Sequence, residues 1–228
     1  MKRFALGYEY IARIIMMLVV VNIAAIVHAV MGLVLGGLFP SIAAAHATYR
    51  AWIIDVHDRS WTIRRTWTVF HRAWKAEFAA ANAFGWIQCI IWALLVWEYW
   101  FVQSNDLGTP GVVVSGILLV VNIVYALFVF VSWAIRSNFT EGNWWIARTS
   151  LSMIVARPLC SLLILVLLLI TAVAYYKWPG LLAAFGLSIP IFTTMMAVYS
   201  FGKIPGMDVH DIEPIEKDQR KRQADTRH

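Results

Sequence analysis

Four polar side chains lie inside long apolar runs of this sequence and are the residues whose types could do chemistry there. They are His28, Asn22, Asn82 and Asn122. An ionisable or amide side chain in such a run indicates either a pathway for a solute or bonds between helices. Convergence of the four on one water-accessible cavity would indicate a small solute transporter or channel. Pairing from helix to helix in a dry core would indicate a structural role.

The sequence contains no arrangement of side chains that is typical of an enzyme or a metal site. The six histidines, none of which has a second histidine at metal-binding helical spacing, are His28, His46, His57, His71, His210 and His228. Phosphate-binding glycine loops, nucleophile elbows and dinucleotide fingerprints are absent from the sequence. Cys89 and Cys160 lie in apolar runs as packing residues. We therefore predict no enzyme, no catalytic residue, no metal and no cofactor.

A basic and aromatic stretch begins at Ser60, which is a candidate N-cap, and runs to Phe78. Helical spacing places its bulky residues on one face and its cations on the others. A helix of this kind suits the headgroup boundary of a membrane or a partner protein. The residues predicted to form this interface are Arg64, Arg65, Trp67, Phe70, Arg72, Trp74 and Lys75. Near Glu77 we expect this surface helix to give way to a membrane-spanning one.

The composition identifies an integral membrane protein. The chain is 61% hydrophobic and only 14% charged, and its mean hydropathy is +0.68. A formal net charge of +6 would suggest nucleic acid in a soluble protein, but here the cations cluster beside apolar segments. Membrane orientation explains that pattern, so we predict the lipid bilayer and not nucleic acid as a partner.

The elements that position these residues are predicted to form an all-α polytopic bundle. We expect about five transmembrane helices and one or two cytoplasmic interfacial amphipathic helices, the latter at 60–77 and 144–157. The predicted spans lie within 13–39, 78–97, 107–135, 158–176 and 181–201, with Pro190 as a kink in the last. Residues 41–57 are predicted to form a short helix that skims or re-enters the interface.

The domain organisation follows from the same charge pattern. Residues 1–205 are predicted to be one membrane-embedded domain, and 206–228 a polar and disordered cytoplasmic tail. Lys and Arg number six in 41–75, three in 136–157 and six in 203–228, out of 19 in the chain. The positive-inside rule therefore predicts a multi-pass protein of the cell membrane, with its N-terminus outside and its C-terminus cytoplasmic.

The order of motifs resembles the YesL family, small bacterial membrane proteins that carry a domain of unknown function. The resemblance begins with GLFPSIAAAHATYRAW at Gly37 to Trp52 and continues through the basic and aromatic stretch to Ala81, Asn82 and Gly85. The later segments ARPLCSLLILVLLL and PGLLAAFGLSIP are also similar to the closing segments of that family.

The resemblance implies a non-enzymatic accessory or regulatory membrane protein. Members are often encoded beside ABC-type carbohydrate uptake systems and beside sensor kinases, which implies ABC permease subunits or a sensor kinase as partners. A small transporter or channel stays open as the alternative, and so does a membrane partner of a sensor kinase. In the accessory hypothesis, the basic and aromatic stretch is the working surface.

Overall fold

The computed structural model describes residues 2–55, 58, 60–202, 204 and 207, with side chains from residue 11 onward. His57, His210, His228 and, apart from Met207, the predicted tail at 206–228 lie outside the described residues. Within the described part the chain forms eight helices and no strand. They are α1 (Lys2–Met31), α2 (Leu38–Ile54), α3 (Ile63–Ser104), α4 (Gly108–Arg136), α5 (Asn143–Ala156), α6 (Pro158–Lys177), α7 (Pro179–Phe185) and α8 (Ser188–Phe201). The predicted all-α bundle is confirmed.

Among the described helices, four are long and apolar enough to cross a membrane, namely α3, α4, α6 and the Ile11–Met31 part of α1. The pair α7 and α8 meets the same criterion together, but it bends by 68°. It is either a broken fifth span or a re-entrant loop. The bend lies at Gly186 and Leu187 and not at Pro190, where we predicted a kink. Pro190 is the third residue of α8, a position where the missing N–H removes no helical hydrogen bond.

Helix α2 lies in the middle of the bundle. Its burial contradicts a helix that skims the membrane surface, whereas the alternative, re-entry into the bilayer, stays a prediction. Eleven of its 17 residues are buried, and it packs against α1, α3, α4 and α8. Ala43, Ala44 and Ala45 are all buried, and their small side chains let the neighbouring helices come close. Arg50 is the single charged residue of α2. It is compatible with burial of the helix because its guanidinium donates a hydrogen bond to Asn138.

Helix α3 is one continuous helix of 42 residues, and the predicted change from a surface helix to a separate span near Glu77 is wrong. The alanine-rich segment at 76–83 favours helix and contains no breaker. The N-cap is Thr62, whose hydroxyl accepts from the Arg65 amide at 3.2 Å, and not Ser60, whose hydroxyl donates to Asp58. At roughly 1.5 Å per residue α3 is about 63 Å long, twice a hydrocarbon core of about 30 Å. We therefore expect its charged first turns to project from the membrane.

The helix predicted at 144–157 is present as α5. Helix α5 is a separate helix of 14 residues that ends at Ala156, before Pro158 begins α6. Proline in the first turn of α6 is favourable, since no intrahelical donor is lost there. One face of α5 is buried through Ile146, Ser150 and Met153, while Trp144 on the other side is 82% exposed.

Candidate functional site

Two histidines meet where α1 crosses the first half of α3. His28 Nε2 and His71 Nδ1 lie 2.8 Å apart, and His28 Nδ1 lies 2.8 Å from the carbonyl oxygen of Ala24. A carbonyl oxygen only accepts, so Nδ1 of His28 carries hydrogen. In the neutral ring Nε2 then accepts from the Nδ1–H of His71. The pair therefore forms a directed chain from half-buried His71 through buried His28 to the α1 backbone.

Three aromatic rings of α3 surround His28. The ring centroids of Trp67, Phe70 and Trp74 lie 5.4, 5.1 and 5.3 Å from that of the imidazole. The aromatic face of the predicted interface thus packs on α1. Phe70 is fully buried, which corrects its predicted contact with lipid or a partner, while Trp67 and Trp74 are half-buried. The reason is that the helix crossing supplies an apolar surface nearer than the bilayer does.

The cations of the same stretch divide into two groups. Arg64, Arg72 and Lys75 are exposed, and no described carboxylate lies within 4.0 Å of them. Arg64 and Arg72 line a shallow groove of about 360 Å³ together with Thr68. These positions share the solvent side of the projecting end of α3. They leave a surface with a positive charge that the described residues do not balance.

Arg65 has a different role, because it joins the start of α3 to the end of α2. Its guanidinium contacts Asp55 at 2.7 Å and Asp58 at 2.8 Å, and it lies 4.5 Å from the ring centroid of Trp61. Hydrogen bonds from the hydroxyl and amide of Ser60 hold the pKa of Asp58 below its usual range. A lowered carboxyl pKa contributes stability at neutral pH and loses it on acidification. Although its side chain is exposed, Arg65 is thus paired within the chain.

Asn22 bonds at the break between α7 and α8. Its side-chain amide donates to the Ala183 carbonyl oxygen at 2.9 Å, and its oxygen accepts from the Leu187 amide at 3.1 Å. The hydroxyl of Tyr175 lies 3.1 and 3.0 Å from the carbonyl oxygens of Phe185 and Gly186. A broken helix within lipid needs such partners for the backbone groups that it frees. Asn22 therefore stabilises the bend.

The other two asparagines bond elsewhere. Asn82 donates to the Gly36 carbonyl oxygen at 2.8 Å, which joins α3 to the turn between α1 and α2. Asn122 donates to the Leu95 carbonyl oxygen at 3.3 Å, which joins α4 to α3. Together with Asn22 and His28, they occupy four separate helix contacts. None of the four lines the 410 Å³ cavity between α2 and α5.

We predict that Asn82→Ala and Asn122→Ala each lower the stability of the protein by about 1 kcal/mol or less, the usual value for an interhelical bond in a membrane protein. The cost stays small because the amide oxygen of each residue has no described partner, so the truncation also removes a buried unpaired acceptor. Unfolding in mixed micelles measures the change. A loss above about 2 kcal/mol would contradict a simple bonding role.

Potential metal ligands are dispersed. Among the described residues no group of three His, Cys, Asp or Glu side chains could hold a metal ion. Cys160 is buried and its sulfur lies 3.6 Å from the Ala197 carbonyl oxygen, while Cys89 is exposed.

Two arginines that were not among the predicted site residues, Arg50 and Arg136, line a polar cavity of about 410 Å³. Both residues stand out in the sequence. Arg50 interrupts an otherwise uncharged alanine-rich helix, and Arg136 ends a segment that has no charged residue from Leu107 onward. An isolated cation in or at the end of an apolar segment carries a large free-energy cost in a membrane unless it is paired, so it marks a candidate functional residue.

The fold and the dispersed polar contacts define the class of the protein, a polytopic helical membrane protein. Residues 18–99 match the family model of DUF624, a protein of unknown function. The match covers α1 from its second half, all of α2 and most of α3, and confirms the resemblance drawn from the motifs in that segment. The comparisons with curated proteins and with solved structures found no match.

Proposed function

We propose that this chain is a non-enzymatic accessory or regulatory membrane protein that docks a partner through the projecting end of α3. One observation carries the proposal. The polar residues that could have lined a solute pathway instead bond at separate helix contacts, as Asn22 does at the α7–α8 bend and Asn122 does between α3 and α4. A conduction pathway needs its polar groups along one continuous cavity.

The docking surface that we propose consists of Arg64, Arg72 and Lys75. These cations are exposed on helical turns that extend beyond a hydrocarbon core, and the described carboxylates do not neutralise them. Complementary charge speeds association and sets orientation more than it adds affinity. An acidic cytoplasmic surface on an ABC permease subunit or a sensor kinase is the partner that fits, and the resemblance to the YesL family favours carbohydrate uptake.

We predict that Arg64→Glu with Arg72→Glu abolishes partner capture. A mild-detergent pulldown from native membranes, read by quantitative mass spectrometry, should recover permease subunits or a sensor kinase with the original chain. The reversed charges should lower that recovery at least about tenfold, because a like-charge juxtaposition costs several kcal/mol. The identity of the recovered protein separates the uptake role from the kinase role.

The matched control is Arg148→Glu with Arg157→Glu, which changes the net charge equally. Both residues are exposed, on and just after α5. Arg65 is unsuitable for the test because its reversal would break the contacts to Asp55 and Asp58. Equal recovery with both double variants would refute docking at this surface. Recovery of no permease subunit or kinase by any form would favour the transporter hypothesis, and uptake into proteoliposomes would then test it.

A further inference from the structure

A polar cavity of about 410 Å³ is lined by residues of α2, α3, α4 and α5 and of the turn between α4 and α5. Alanines of α2 and α3 leave the space, since Ala43, Ala47 and Ala80 all line it. Two guanidinium groups face this space, from Arg50 and Arg136. The volume falls in the range of small-molecule sites, which is roughly 300–1,000 Å³.

Arg136 lines the cavity with a guanidinium whose position is fixed and whose charge is neutralised. Its guanidinium bonds to the Glu77 carboxylate at 2.7 Å and lies 5.5 and 5.7 Å from the ring centroids of Phe84 and Trp133. Its side chain is only 14% exposed. The ion pair and the rings hold this group in one orientation, and Glu77 balances its charge.

Arg50 is held in place as firmly, but only by uncharged groups. Its Nε donates to the Asn138 amide oxygen at 3.1 Å, and the hydroxyl of Tyr199 donates to the same oxygen. Asn138 is fixed in turn by donating to the Ala134 carbonyl oxygen at 2.8 Å. No described carboxylate lies within 4.0 Å of Arg50. A positioned guanidinium with donors left over and no counter-ion among the described residues can bind an anion.

We propose that this cavity binds the phosphate group of a hydroxylated organic phosphate, with Arg50 as the anion-binding residue. The planar guanidinium fork matches the oxygens of a phosphate in a bidentate contact. The proposal is independent of partner docking by α3, because it rests on a different surface.

The rest of the cavity suits a hydroxylated organic group attached to that phosphate. The space exceeds that needed by one phosphate, and Thr140, Glu141 and Asn143 line it. Their hydroxyl, carboxylate and amide groups accept and donate hydrogen bonds to alcohol groups. The carboxylate of Glu141 is exposed to solvent and lies more than 4.0 Å from the guanidinium of Arg50. A soluble sugar or polyol phosphate and the glycerophosphate headgroup of an anionic lipid share this chemistry.

The test is calorimetric titration of the purified full chain in neutral detergent with glycerol 3-phosphate, beside glycerol as an uncharged probe. We expect binding of glycerol 3-phosphate and none of glycerol. Arg50→Gln keeps a donor for Asn138 but removes the charge, and should weaken the affinity at least about tenfold, as expected for loss of a charged hydrogen bond. Arg157→Gln, which removes an exposed cation that does not line the cavity, should leave the affinity unchanged.

A second arm separates the two sources of phosphate. The same variants are placed in nanodiscs of phosphatidylcholine with or without phosphatidylglycerol, and their thermal unfolding is followed. Stabilisation by phosphatidylglycerol that requires Arg50, without binding of glycerol 3-phosphate, would assign the site to a lipid headgroup. The absence of both effects, or equal effects in the original chain and Arg50→Gln, would overturn the proposal.

Ala47→Leu provides an independent variant that leaves Arg50 and its partners in place. Ala47 is half-buried at the cavity wall, so a larger side chain fills the space that the ligand would occupy. We expect it to abolish glycerol 3-phosphate binding while thermal unfolding stays cooperative. Should Arg50→Gln fail to fold, this variant decides the proposal, since unchanged binding with a filled cavity would refute it.

Discussion

Replacing Gly85 with alanine is expected to destabilise the protein by about 3 kcal/mol, at the upper end of the range for overpacked cores. A Cβ atom at this position would lie 2.2 Å from ring atoms of Phe39 and 2.8 Å from its Cβ, distances at which the atoms overlap. Phe39 cannot move aside, because its ring packs 5.2 Å from Trp86 and 6.4 Å from Trp133. The substitution should therefore separate α2 from α3. Thermal unfolding in detergent measures the loss.

Gly116→Ala is the matched control. Gly116 also lies inside a membrane helix, α4, but a Cβ there meets nothing within 4 Å. Since alanine favours helix over glycine by up to about 1 kcal/mol, this variant should be neutral or slightly more stable. Phe39→Leu combined with Gly85→Ala should recover part of the loss, because the smaller side chain relieves the overlap. Equal effects at the two glycines would contradict close packing of α2 on α3.

His28→Ala is expected to have an effect of similar size, about 3 kcal/mol, as found for large buried side chains truncated in cores. The substitution opens a space among Trp67, Phe70 and Trp74 and leaves Nδ1 of His71 without its described partner. Within a membrane, most of the lost stability comes from lost packing between helices, because the apolar surroundings are similar before and after the helices separate. Unfolding in mixed micelles gives the magnitude.

A double-mutant cycle with His71→Ala isolates the bond between the two histidines. Residues that share a hydrogen bond show coupling of about 0.5–3 kcal/mol, so the double variant should cost less than the sum of the single ones. Ile26→Ala serves as the control on the same helix, because Ile26 is 51% exposed and should cost little. Additive effects at His28 and His71 would mean that the 2.8 Å contact contributes nothing to stability.

The two proposed sites share helix α3, which carries the docking surface and contributes Glu77 and Ala80 to the cavity. Glu77 neutralises Arg136 beside the cavity, only two residues after Lys75 of the proposed docking surface. The Arg65 contacts to Asp55 and Asp58 hold the ends of these helices together near the docking surface. A ligand in the cavity would therefore act on the helix that carries that surface.

The sequence by itself determined the helical class, the apolar spans and the limits of α5. Charge-free runs of about 20 residues permit only helices in lipid, because each backbone group must bond within its own segment. Pro158 likewise fixed the boundary between α5 and α6. These properties depend on local composition and spacing, so no tertiary contact was needed to predict them.

The candidate site could be predicted only in part. The exposed positions of Arg64, Arg72 and Lys75 followed from helical periodicity, whereas the burial of Phe70 did not. Periodicity shows that apolar residues share a face, but the same face suits a lipid boundary and a neighbouring helix equally. Only the crossing of α1 over α3 decided that the aromatic face contacts His28.

Tertiary structure alone decided the place of α2, the separation of the polar residues and the existence of the Arg50 cavity. A helix of 17 residues with one cation has no sequence signal that separates a surface position from a core position. Four polar residues at distant positions can meet or stay apart without any change in local pattern. Arg50, Asn138 and Tyr199 come together from α2, the turn after α4 and α8, and such contacts depend on how the helices pack.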